Sequence, residues 1–211
     1  MTDFCIVWLT DGMDAALEPF RDPGAPQIQC ATLEEGPFGI ESQADMEAVV
    51  LPLRDFVVAR PEASCFVIAC YSDPDLHVCR EAVEQPVLGI QECGILTAMA
   101  RGDRFGVIAL AQRSIQRHLR YIRQMGVGDR LAAERAADLT VAESATGEGT
   151  FARLAQTGAA LRDQDGADTI ILGCAGMAAH RAGLEKELGL PVIDPVQSAV
   201  TMALGMAAMA Q

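Results

Sequence analysis

The sequence predicts an α/β protein of two pseudo-symmetric lobes, each a four-stranded parallel sheet flanked by helices, with a candidate active site in the inter-lobe cleft. Three observations predict it. Short apolar runs alternate with amphipathic stretches along the 211 residues, the pattern of parallel strands joined by helical crossovers. Asp3-Phe-Cys-Ile-Val-Trp-Leu9 and Arg104-Phe-Gly-Val-Ile-Ala-Leu110 open two halves in the same way, about a hundred residues apart. Finally, Cys65-Phe-Val-Ile-Ala-Cys70 followed by Gln85-Pro-Val-Leu-Gly-Ile90 recurs as Thr169-Ile-Ile-Leu-Gly-Cys174 followed by Leu190-Pro-Val-Ile-Asp194, with 16 residues from cysteine to proline in one copy and 17 in the other. A repeat of that length is one supersecondary lobe rather than a solenoid period.

The elements follow in order. The apolar runs Cys5 to Leu9 and Ile28 to Thr32 read as strands, and Ala44 to Val58 as one helix. Phe66 to Ala69 is a strand. A helix over Pro74 to Val83 follows it, because Asp73 can cap free backbone N–H groups and proline tolerates the first helical turn. Val87 to Gly89 closes the first set of four strands. The second set is Gly106 to Leu110, Leu131 to Ala136, Thr169 to Leu172 and Val192 to Ile193, separated by helices Ser114 to Met125, Thr150 to Gln164 and Ala178 to Leu188. The lobe junction is placed near Ile95 to Arg101. Lobe 1 is residues 1–97 and lobe 2 residues 98–195, with a last helix, Val196 to Ala210, returning within 196–211 to pack on lobe 1.

Composition excludes several classes of function. Sixteen basic against 29 acidic residues give a formal charge of −13, and so acidic a surface repels a phosphate backbone or an anionic membrane. A small soluble substrate fits better, with no nucleic-acid or membrane partner. Phe4 to Leu9 is too short for a secretory segment, and Val196 to Ala210 is shorter than the roughly 18 apolar residues of a membrane span. A cytoplasmic location is expected. The seven cysteines include no Cys-x-x-Cys pair and read as reduced thiols, and neither they nor the three histidines show metal-ligand spacing, so no metal is expected. Gly173-Cys-Ala-Gly176 lacks the dinucleotide fingerprint, and no phosphate-binding loop is present.

Cys5, Cys30 and Cys65 lie in or beside strands and read as small buried hydrophobes, and Cys79 and Cys93 similarly. Cys70 and Cys174 differ. Each ends an apolar strand and precedes a helix, where a dipole and free N–H groups can lower a thiol pKa from about 8.5. Two such thiols on opposite sides of one cleft form an arrangement for moving a proton from one face of a carbon to the other. A carbon acid beside a carbonyl needs a base on one face, an acid on the other, and donors for the enolate-like charge between them. The backbone N–H groups of Tyr71, Ser72, Ala175 and Gly176 are candidates for those donors. His77, His118 and His180 read as helix-surface residues. Arg113, Arg117 and Arg120 form a solvated face or an oligomer contact opposite Ile115, Leu119 and Ile122, and Met202, Met206 and Met209 read as core filling.

The segments Glu35-Gly-Pro-Phe-Gly-Ile-Glu-Ser42, Ala69-Cys-Tyr-Ser-Asp-Pro-Asp-Leu76, Arg113-Ser-Ile115, Leu172-Gly-Cys-Ala-Gly-Met177 and Leu190-Pro-Val-Ile-Asp194 resemble the aspartate/glutamate/hydantoin racemase superfamily, in its hydantoin and allantoin racemase branch. The resemblance implies cofactor-independent racemisation by two cysteines, here Cys70 and Cys174, and a homo-oligomer. Members of this branch carry an Asn-Pro-Asn-Thr-like turn after the first strand and a Thr-Thr pair after the fifth. This chain has Leu9-Thr-Asp-Gly-Met13 and Ala111-Gln112 there, making Thr10, Asp11 and Gln112 the candidate substrate contacts that differ. The same lobes also carry decarboxylases, which keep only the second cysteine, and maleate-type cis–trans isomerases, which keep both. A non-catalytic small-molecule binding protein is the alternative from another class.

Overall fold

A computed structural model describes residues 4–8, 14–21, 28–33, 36–37 and 39–209. Its chain divides into two compact units, one of residues 1–93 with 196–211 and one of residues 94–195.

The first unit holds strands β1 (Phe4–Trp8), β2 (Ile28–Thr32), β3 (Cys65–Ala69) and β4 (Val87–Gly89), all parallel, in the order β2-β1-β3-β4. The second holds β5 (Phe105–Ala109), β6 (Leu131–Ala136), β7 (Thr169–Gly173) and β8 (Val192–Ile193), parallel and in the order β6-β5-β7-β8. The two orders are the same pattern. All eight strands lie where the apolar runs predict them. Every residue of β3, β5 and β7 is buried, as parallel strands covered on both faces require. β2 and β6 are edges: in β2 only Ile28 and Ala31 are half-buried and the other three residues are exposed, and β6 is half-buried throughout.

Helices are less faithful to the sequence reading. The first is the short α1 (Asp14–Leu17). The single helix expected over Ala44 to Val58 is two, α2 (Gln43–Ala48) and α3 (Val50–Val58). Pro52 explains the break, because its missing N–H cannot bond the carbonyl of Ala48. A restart at Val50 puts the proline in a first turn, where that loss is harmless. Ser42 starts α2 with a reciprocal capping box: its Oγ accepts the Asp45 N–H at 3.1 Å, and the Asp45 carboxylate accepts the Ser42 N–H at 2.7 Å.

After β3 the chain makes a turn, with Asp73 and Asp75 in the left-handed region at φ 42° and 56°, so α4 (Leu76–Ala82) begins two residues later than expected. The helix α5 (Ile90–Met99) is not foreseen from the sequence. It contains buried Ile90, Gln91, Cys93, Ile95 and Ala98, and lacks the polar stripe that reveals an amphipathic helix. The boundary between the units falls within it.

In the second unit α6 (Gln112–Gln124) buries Ile115 and Ile122 and turns Arg113 and Arg120 outward, as predicted. The short α7 (Glu143–Thr146) and α8 (Thr150–Asp163) follow β6. After β7 the chain first takes a 3-10 turn, Ala175–His180, and only then α9 (Arg181–Leu188), so the helix expected from Ala178 starts three residues later. The core between this sheet and α8 and α9 joins Ile108, Leu154, Leu161, Ile170, Leu172, Leu184 and Leu188. The last helix, α10 (Pro195–Met209), is not core along its whole length: Met206 and Met209 are 38% and 81% exposed, so apolar composition alone overstated its burial.

Three further expectations change. Cys30 is exposed, because β2 is an edge strand rather than an inner one. His118 is buried rather than on a helix surface, since it faces β6 and its Nδ1 bonds the carboxylate of Glu134. Among the described residues no helix is long and apolar enough to cross a membrane.

Candidate active site

Cys70 and Cys174 occupy equivalent places in the two sheets. Cys70 directly follows β3 and Cys174 directly follows β7, and each of these strands lies between the first and last strands of its own sheet. In the order 2-1-3-4 the connections leave in opposite directions on either side of the boundary between the first and third strands. The carboxyl ends of those two strands border the crevice in which open α/β sheets bind ligands. Both cysteines are therefore at switch points of their sheets, and both are part-buried.

In the first unit the loop carrying Cys70 is fixed from below. The Asp73 N–H donates to the Cys70 carbonyl at 2.9 Å, closing a turn through Tyr71 and Ser72. Tyr71 is buried and Ser72 half-buried. Asp73 does not cap α4, as the sequence reading expects. Its left-handed backbone turns the carboxylate to the start of α5, where it accepts the N–H of Gln91 and of Glu92 at 2.8 Å each. Gly89 makes room for it: a Cβ there would stand 2.3 Å from the carboxylate. Burial pushes the Asp73 carboxyl up to about 7, against the two N–H donors, which favour the charged form. Burial, followed by the charge of Glu47, raises Asp75 to about 7 as well. Arg80 of α4 pairs with Glu92 of α5 at 2.5 Å, so α5 is tied to α4 as well as to the loop before it.

In the second unit Cys174 meets a different environment. Burial raises its thiol pKa, and the charge of Asp194, just beyond β8, adds to that. The Gly176 N–H and the Ser144 hydroxyl act in the opposite direction. The lowering expected from the following helix is thus not the net result, because desolvation outweighs the short 3-10 segment that follows the cysteine. The Gly176 N–H, a candidate donor to a substrate oxygen, also favours the Cys174 thiolate. Ala175 is buried.

Gln112 is exposed, at the first position of α6, and borders a groove of about 780 Å³ along the outer edge of β6 with Arg135, Asp138, Arg153 and Gln156. Neither cysteine lines that groove. Thr10 and Asp11 follow β1 and lie outside the described residues. Ser144 and Asp194 are neighbours of Cys174 that sequence reasoning missed. Ser144 is thirty residues away in the chain, and the only local signal was the Thr140-x-x-Glu143 pattern of a capped helix start just before it.

Cys65, Cys79 and Cys93 are buried free thiols. Burial pushes Cys65 and Cys79 up to about 12 and raises Cys93 still further. They contrast with the two part-buried cysteines at the strand ends.

Comparison with known proteins gives a consistent set of relatives. The family model described as Asp/Glu/Hydantoin racemase matches residues 7–203. A hydantoin racemase of Pseudomonas sp. (strain NS671) is 35% identical over 181 residues, covering 84% of this chain and 72% of the relative. One of Paenarthrobacter aurescens is 35% identical over 187 residues, covering 86% and 79%. The solved structure of allantoin racemase from Klebsiella pneumoniae superposes with a TM-score of 0.89 at 28% identity, covering all of this chain and 89% of that one.

Proposed function

The chain belongs to the Asp/Glu/hydantoin racemase family and is an isomerase of the racemase type; from that premise we propose a cofactor-independent racemase of a small cyclic amide, with 5-substituted hydantoins and allantoin as the substrate class. Cys70 and Cys174 are its acid–base pair. The observation that carries this reading is the repeated placement of the two thiols at the end of the same strand in two sheets of the same order.

The reaction exchanges the configuration of a carbon whose C–H is acidified by an adjacent carbonyl. A thiolate on one face removes the proton, a thiol on the opposite face supplies another, and the electron pair rests meanwhile on the carbonyl oxygen. After one turnover the roles of the two sulfurs are reversed, so one site serves both enantiomers. Backbone N–H groups at Tyr71, Ser72 and Ala175 are assigned to the oxygens that gather charge. The Gly176 N–H is assigned to the sulfur of Cys174, where it lowers the cost of the thiolate. Thr10, Asp11 and Gln112 are assigned to substrate selection, because they stand where this chain departs from its relatives' residues.

The test is exchange in heavy water on enantiopure hydantoins and allantoin, with Cys70→Ser and Cys174→Ser beside the unaltered protein. Each substitution is expected to abolish racemisation while one-sided deuterium exchange of a single enantiomer survives, the surviving enantiomer being opposite in the two variants. Full racemisation by either variant overturns the pair.

A further inference from the structure

Ser144 touches Cys174 through a construction more elaborate than chance packing needs. The Cys174 thiol donates to the Ser144 Oγ at 3.9 Å, and the Ser144 hydroxyl donates in turn to the Val141 carbonyl at 2.7 Å. Ser144 is 1% exposed. Its helix, α7, is only four residues long, yet its first residue is held by bonds from both flanking segments. Thr140 and Glu143 cap its start reciprocally, with the Thr140 N–H and hydroxyl donating to the Glu143 carboxylate at 2.8 Å each and the Glu143 N–H donating to the Thr140 Oγ1 at 3.3 Å. From the start of α8 the buried Thr150 hydroxyl donates to the Glu143 carbonyl at 2.9 Å. Gly176 completes the contact by omission: a Cβ there would lie 2.5 Å from the Ser144 Oγ.

We propose that Ser144 is a positioning residue for Cys174, its hydroxyl accepting from the thiol in one half-reaction and donating to the thiolate in the other. This rests on Cys174 being one of the two acid–base sulfurs. When the thiol gives its proton to the substrate carbon, the sulfur changes from donor to acceptor. Rotation about the Ser144 Cβ–Oγ bond then turns the hydroxyl proton from the Val141 carbonyl to the sulfur. That carbonyl is not abandoned, because the Ser144 N–H also donates to it, at 3.3 Å. No proton leaves Ser144 in either state. A group that can either accept or donate is what a sulfur needs when it must act as acid for one enantiomer and base for the other, and a hydroxyl is the smallest that can.

Among the described residues, the charged and titratable groups near this sulfur do not supply that function. Asp194, beyond β8, opposes the thiolate. Glu143 of α7 turns its carboxylate to Thr140, and His180, at the end of the 3-10 turn, sets its ring against Phe151 at 6.3 Å between centroids.

The test reads the Cys174 sulfur itself. The full-length protein is alkylated with iodoacetamide from pH 6 to 10, and the peptide containing Cys174 is quantified by mass spectrometry, for the unaltered chain, Ser144→Ala and Gly176→Ala. Loss of one hydrogen bond to a charged sulfur is expected to move the alkylation midpoint of Cys174 up by about one pH unit in Ser144→Ala. The midpoint of Cys70 stays, and the racemisation pH profile in the direction that uses Cys174 as base moves with that of Cys174. Gly176→Ala displaces the hydroxyl without removing it and is expected to shift Cys174 in the same direction, which also carries the test if Ser144→Ala does not fold. An unchanged Cys174 midpoint in either folded variant overturns the proposal. Racemisation surviving Cys174→Ser would instead remove the two-thiol reading, while the alkylation shift would still report the Ser144 contact.

Discussion

Replacing Asp73 by alanine tests how the Cys70 loop is held. The substitution removes the acceptor of two N–H groups at the head of α5, each bonded at 2.8 Å, and leaves both donors in a buried setting. A hydrogen bond to a charged group contributes about 1.5–3 kcal/mol and an N-cap about 0.5–2 kcal/mol. Because burial raises the Asp73 carboxyl to about 7, the charged form is only half populated at neutral pH and the lower values apply. The expected loss is about 2–3 kcal/mol, or roughly 5–10 °C in melting temperature for a chain of this size.

Asp73→Asn separates the charge from the acceptor. Its amide oxygen keeps one of the two N–H bonds while its NH2 faces the other donor, so at pH 7 it is expected to cost less than alanine, about 1–2 kcal/mol. The pH dependence changes more. A carboxyl raised from 3.8 to about 7 makes the folded state bind its proton more tightly than the unfolded chain does. Its contribution is full below the unfolded value and is lost as pH rises through about 7, so the unaltered protein loses stability between pH 4 and 8, by at most about 4 kcal/mol from this group. Asp75 acts in the same direction, so the asparagine variant shows a reduced slope rather than none. Thermal melts followed by circular dichroism from pH 4 to 8 measure both effects. An alanine variant melting within 1 °C of the unaltered protein, or an asparagine variant with an unaltered slope, refutes the reasoning.

Two further outcomes follow from buried groups elsewhere. His118→Leu strands the Glu134 carboxylate between α6 and β6, where both side chains are almost fully buried, and is expected to cost about 3–5 kcal/mol in urea titrations. His118→Leu with Glu134→Leu should recover most of that loss, and failure of the double variant to exceed the single one would show that the pair is not coupled. In the native protein at pH 8, iodoacetamide should modify exposed Cys30 readily and leave Cys65, Cys79 and Cys93 unmodified; rapid labelling of any of the three would contradict their burial.

The strands were legible because each is a short apolar run bounded by turn residues, and buried parallel strands need no other signal. The same rule hid α5, whose lack of a polar face removes the periodicity that marks a helix. Asp73 reads in the sequence as a cap for α4, yet its carboxylate caps α5. Its left-handed φ is a backbone fact that decides which N–H groups the carboxylate reaches, and composition does not encode it. The duplicated cysteines were visible because the repeat aligned them. The neighbours of Cys174 were not, since Ser144 and Asp194 reach it through separate crossovers and only folding makes them adjacent.

The path of the chain between its two units has a consequence for biosynthesis. Residues 94–195 form one uninterrupted unit, while the other is assembled from residues 1–93 and 196–211. On a ribosome, the second unit therefore has its complete set of residues before the first one does. The nascent first unit must wait, without α10, through the translation of the whole insert. A stalled or prematurely terminated product ending near residue 195 would carry an intact second unit joined to a first one with uncovered apolar surface, the kind of product that chaperones and proteases act on.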